Sequence, residues 1–92
     1  MSFYVVRNVY VDAPELAEVR PAHRDYLKTL VGQGGLRAAG PLDVTPPGGL
    51  LVFEADDEGS VREALAKDPL AVEGLIAQQT IEVWKPLVGD TF

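Results

Sequence analysis

The sequence has no cysteine, one histidine, one tryptophan and one methionine. Without thiols there is no disulfide framework and no thiol chemistry, and a lone histidine without cysteines does not make a structural zinc site. Basic residues are scarce: eight Lys and Arg stand against fourteen Asp and Glu, giving a net charge of −6 with no basic cluster. Nucleic-acid binding needs positive charge facing phosphates, so it is not expected. No apolar run is long enough to span a bilayer, so no membrane contact is expected either. Met1 to Val11 alternates and carries Arg7 and Asn8, unlike the basic start and apolar stretch of a signal peptide. A cytoplasmic location is the expectation. The glycines lack the spacing and lysine of a phosphate-binding loop, and no serine lies in a nucleophile elbow. No cofactor and no metal are expected.

What is present is enough for one domain over residues 1–92, with an ordinary apolar fraction of 47%. Phe3 to Val11 reads as a strand with two apolar faces: Phe3, Val5, Val9 and Val11 on one, Tyr4, Val6 and Tyr10 on the other. Asp12 to Val19 reads as a connector containing Pro14, with a helical turn of its own as the alternative. Pro21 has a fixed φ and no N–H, so it suits the first position of a helix running to about Val31. Within it His23, Leu27 and Leu30 recur at i, i+4 and i+7, and Gly32, Gly34 and Gly35 close it. Leu36 to Leu42 is a second strand whose end or edge is marked by Gly40-Pro41. The Pro- and Gly-rich stretch from Asp43 to Gly49 is a loop, and Leu50 to Ala55 is a third strand, again apolar on both faces. Ser60 and Glu63 fit a capping box for a second helix ending near Lys67. Pro69 disfavours helix at Asp68, which is free to cap a short turn of its own. The last strand lies between Leu75 and Trp84.

The order β-α-β-β-α-β implies a ferredoxin-like α+β fold: an antiparallel sheet in order 4-1-3-2 with both helices on one face. The other face is apolar yet uncovered, which predicts a symmetric homodimer, an α/β-barrel type of assembly. The same order brings the start of the first helix, the end of the second strand and the end of the second helix to one end of the domain. His23, Gly40-Pro41 and Asp68 therefore converge there. At a helix start the macrodipole disfavours added positive charge, which favours the neutral imidazole a general base needs. Asp68 on the other ring nitrogen would fix the tautomer, and Arg20 would hold an anionic group. Gly40 admits a close approach beside Pro41. Blander readings exist for each: a packed histidine with one backbone bond, a helix cap, a surface ion pair to Glu15 or Glu18, a turn.

Arg20-Pro21-Ala22-His23 with Tyr26-Leu27, then Gly40-Pro41-Leu42, then Asp68-Pro69, resemble in order and spacing the signature of the YCII-related domain family. The resemblance runs from Phe3 to about Pro86. It implies a dimerising ferredoxin-like domain with a His/Asp site, here His23 and Asp68. Some branches of that family resemble dehydrochlorinases of chlorinated hydroxyquinols. Leu70 and Leu87 stand where the family often has aromatics. The function expected is a cofactor-independent enzyme that moves protons on a small acidic or oxygenated ring, as a lyase, isomerase or hydrolase. His23 would be base or acid, Asp68 its orienter, and Arg20, Gly40 and Pro41 substrate-binding residues. The alternative is a non-catalytic dimeric module that binds a small ligand or a protein.

Overall fold

A computed structural model describes residues 1–89, so the last three positions of the expected domain lie outside the described residues. The elements are β1 (Ser2–Tyr10), α1 (Pro14–Leu30), β2 (Leu36–Leu42), β3 (Gly48–Ala55), α2 (Glu58–Ala66), α3 (Pro69–Val72) and β4 (Ile76–Trp84). The strands form one antiparallel sheet in the order β2-β3-β1-β4, the ferredoxin-like arrangement read from the sequence.

Side chains alternate across a strand, so register decides what each face carries. Tyr4, Val6 and Asn8 of β1 lie opposite Phe53, Leu51 and Gly49 of β3, and opposite Val83, Ile81 and Gln79 of β4. The helices cover this face. Leu27 and Leu30 of α1 and Val61 and Leu65 of α2 pack on Tyr4, Val6, Leu36, Leu51 and Phe53. A second cluster, Tyr10, Leu16, Leu70 and Leu75, closes the end of the sheet where β1 finishes. Each such apolar side chain contributes about 1.5–3 kcal/mol on full burial, so these two clusters fix where the helices sit. Leu70, one of the family's departures from an aromatic, is 0% exposed in this second cluster.

Two helix starts differ from the sequence reading. α1 begins at Pro14, and the stretch from Asp12 to Val19, read as a connector, is largely its first turns. Pro21 lies inside the helix. Its missing N–H leaves the carbonyl of Ala17 without its i+4 partner, and both residues are solvent-exposed, so water can satisfy that oxygen. Pro14 takes the first-position role, behind an N-cap, Ala13, that has no side-chain capping bond. The second helix is capped by Asp57 instead of Ser60. Asp57 Oδ1 accepts from the Ser60 backbone N–H at 2.8 Å, which puts Ser60 inside the first turn. That backbone bond is the main reason the Asp57 carboxyl is held below the usual aspartate range, and the Ser60 hydroxyl assists. A carboxylate also answers the partial positive charge of a helix start. Asp68 does cap α3, accepting from Leu70 N–H at 2.9 Å. Among the described residues no helix is long and apolar enough to cross a membrane.

Candidate active site

His23 stands in the middle of α1, on the stripe Leu16, Val19, His23, Leu27 and Leu30 that faces the sheet. The macrodipole of a helix start therefore does not act on it, since that field fades within the first turn. What the ring meets instead is the Asp68 carboxylate. Asp68 sits at the junction of α2 and α3, where Pro69 ends one helix and its own carboxylate starts the next. Its side chain is 1% exposed and that of His23 14%. His23 Nδ1 lies 2.8 Å from Asp68 Oδ1 and 2.7 Å from Oδ2, a bifurcated contact to one carboxylate. A carboxylate only accepts, so Nδ1 carries the proton and donates it. In the neutral ring the lone pair is then on Nε2, which has no hydrogen-bond partner among the described residues. The remaining bond of Asp68, from Leu70 N–H, anchors the carboxylate to the backbone. Tyr26 donates to the Ala64 carbonyl at 2.6 Å and ties α1 to α2 beside this pair. Burial, and then the nearby Asp68 charge, raise its phenol above the ordinary tyrosine value.

His23 opens onto a cavity of about 260 Å³ between α1 and the sheet. From α1 the walls are Arg20, His23, Arg24 and Leu27, one helix face at i, i+3, i+4 and i+7. From the sheet come Tyr10 of β1, Gly40 and Pro41 of β2, and Leu50 and Leu51 of β3. Four of the residues singled out from the sequence, Arg20, His23, Gly40 and Pro41, thus line one space. Asp68 stands behind His23 and outside the lining. Arg20 makes none of the ion pairs weighed for it. Its guanidinium carbon lies 5.9 Å from the centre of the Tyr10 ring, a cation–π distance. Among the described residues no three His, Cys, Asp or Glu side chains converge as a metal site requires.

The YCII-related domain family matches residues 2–85. The chain belongs to that family. No protein of curated function matches the sequence. Among solved structures, the 5-chloro-2-hydroxyhydroquinone dehydrochlorinase TftG of Burkholderia phenoliruptrix, in complex with 2,5-dihydroxybenzoquinone, is 28% identical over 92% of this chain and 94% of its own, with a TM-score of 0.66. A NIPSNAP domain protein from Burkholderia xenovorans is 17% identical over the whole of both chains, TM-score 0.64. SnoaB, a cofactor-independent oxygenase from Streptomyces nogalater, is 18% identical over 95% of this chain and 93% of its own, TM-score 0.55. The last two share the fold.

In this YCII-related domain two cavity residues, Tyr10 and Arg24, were not singled out by the sequence reading. Arg24 has a plain signal, lying one residue past His23 and one turn past Arg20. Tyr10 is signalled by strand alternation, which puts its polar tip on the helix-covered face at the end of β1. Its ring meets that of His23 edge-on, with centroids 6.3 Å apart at 74°. Burial raises the Tyr10 phenol above its usual value; the Asn8 side chain opposes this, the Asp68 charge adds to it, and Arg20 opposes it. Tyr10 is thus a neutral hydroxyl throughout the neutral range.

Proposed function

We propose that this YCII-related domain is a proton-transfer enzyme acting on a small oxygenated ring, with His23 as the group that takes and returns the proton. One observation carries the reading. The buried Asp68 carboxylate holds Nδ1–H of His23, and Nε2 of this cavity-lining ring has no partner among the described residues. An imidazole so held is a base of fixed tautomer, and the carboxylate offsets the charge that forms when it is protonated. The cavity is at the small end of ligand sites, which suits a single ring better than a large polycyclic substrate.

The reaction type is taken from the dehydrochlorinase relative, whose substrate and bound quinone are small oxygenated rings. Loss of HCl from a chlorinated hydroxyquinol is redox-neutral. Two ring hydroxyls give up protons, one proton goes to the carbon that bears chlorine, and chloride leaves with the C–Cl bonding pair. A histidine that alternates between base and acid serves each proton step in turn. Asp68 stabilises its charged form, and Arg20 faces the negative charge that builds on the ring oxygens. The test is chloride release and quinone absorbance across a panel of chlorinated hydroxyquinols. The expected outcome is turnover of at least one member. Tight binding without turnover of any would favour a non-catalytic ligand-binding module.

The assembly is part of the same reading. Val5 and Val9 of β1 lie on the strand face away from the helices, and Val5 lies opposite Val52. Apolar groups on an uncovered sheet face are the usual mark of an interface, and a second copy related by a twofold axis is the simplest cover. Light scattering at micromolar protein is expected to give a dimer mass; a monomer mass would refute this.

A further inference from the structure

One buried polar group is left over by the site as described. Asn8 is 0% exposed, on the helix-covered face of β1 in register with Gly49 and Gln79. Its Oδ1 accepts from Gln79 Nε2 at 2.8 Å, while Nδ2 has no hydrogen-bond partner among the described residues. A buried donor without a partner is costly, and native proteins seldom keep one without a use. The neighbour on which Asn8 acts is the Tyr10 phenol, where it favours negative charge on the oxygen. The chain makes room for that hydroxyl. A Cβ built on Gly49 would meet Tyr10 Oη, so glycine at this point of β3 leaves room for the hydroxyl where it lies. Tyr10 lines the cavity. Arg20 and Arg24 flank the same space and make no ion pair among the described residues.

We infer that Tyr10, Arg20 and Arg24 form an oxyanion pocket that binds the substrate through an ionised ring oxygen. The substrate class is narrowed from oxygenated rings to phenolates and enolates. A donor pair of this kind favours the ionised oxygen over its neutral form, so binding itself lowers the pKa of the bound hydroxyl. The chain is acidic overall, with a net charge of −6, yet the cavity wall on α1 carries two cations and no acid. That local reversal of sign is what an anionic ligand needs. The inference rests on the cavity being the substrate site, as proposed above, but its failure is separable from failure of the proton-transfer reading.

The probe is para-nitrophenol, whose phenolate is coloured, titrated spectroscopically with the whole protein, beside its neutral isostere para-nitrotoluene. Wild type should bind the phenolate at least about tenfold more tightly than the isostere, since charge-assisted hydrogen bonds are stronger than neutral contacts. The bound probe should also ionise at lower pH than the free one. Tyr10→Phe removes only the hydroxyl and should lose about tenfold of that preference at an unchanged melting temperature. Arg24→Gln should weaken phenolate binding and flatten its salt dependence, with isostere binding unchanged. His23→Gln should keep the preference. The inference is overturned if wild type binds both probes equally. It is also overturned if Tyr10→Phe retains the full preference, or if His23→Gln alone abolishes it. Phenolate preference in wild type and in His23→Gln, without turnover of any substrate, would uphold the pocket and refute the proton-transfer reading.

Discussion

Asp68 carries two duties at once. One oxygen takes the Leu70 N–H, and both oxygens face His23 Nδ1. Asp68→Asn separates them. The amide oxygen can still take Leu70 N–H, so the cap is kept, and the amide then presents N–H to the ring. His23 must answer with a lone pair on Nδ1, which moves its proton to Nε2 and removes the base from the cavity. The expected outcome is a melting temperature within a few degrees of wild type with the histidine tautomer reversed, read from ¹⁵N shifts of the ring. Retention of the wild-type tautomer would mean that Asp68 does not set it. The meeting of His23 and Asp68 was legible because the element order brings α1 beside the junction of α2 and α3, although His23 stands in mid-helix and not at the helix start read from the sequence. Tyr10 and Asn8 were less so. Alternation places Tyr4, Val6, Asn8 and Tyr10 on one face, and an asparagine at a core position of that series was itself a signal. Its meaning depends on Gly49, a residue of another strand, and on the loop that sets the β3 register. Neither is readable from β1 alone.

At the scale of elements, α1 shows how one local rule can mask a longer pattern. Pro21 resembled a first-turn proline, yet the apolar positions continue upstream through Val19 and Leu16 at the same spacing. Seven residues of helix were hidden because Ala13 supplies no capping side chain. A mid-helix proline forfeits one backbone bond, and here it does so on the solvent side. Pro21→Ala restores the N–H to the Ala17 carbonyl and should raise stability by about 1–3 kcal/mol, less the entropy the unfolded chain regains. A denaturant midpoint that falls would contradict this. The start of α2 predicts a pH effect. The folded carboxyl of Asp57 is held below its ordinary value, so its contribution is present above the unfolded pKa and lost as pH falls through the folded one. Asp57→Ala should therefore melt lower than wild type at neutral pH, and the gap should close in acid. A gap that persists unchanged at low pH would assign the effect to something other than the carboxylate.

For the whole molecule, the sheet divides the described residues into a face covered by the chain's own helices and a face that no described helix covers. Two-sided apolar strands made the division legible; the dimer proposed to cover the second face depends on shape across two molecules, which no single strand encodes. Val5→Glu places a charge at the centre of the open face, opposite Val52. It should halve the mass seen in light scattering while leaving the far-ultraviolet circular dichroism of the fold in place. The cavity lies on the opposite side of the sheet, so the split protomer should still bind its ligand. The account as a whole turns on His23. The decisive measurement is turnover by folded His23→Gln protein, on whichever hydroxyquinol the wild type is found to convert. Glutamine keeps much of the volume and a hydrogen-bonding group but cannot shuttle a proton near neutral pH. Loss of a general base costs roughly 10²–10⁴-fold in rate, so turnover should fall by that factor at a near-normal melting temperature. A folded His23→Gln protein with wild-type turnover would contradict the account.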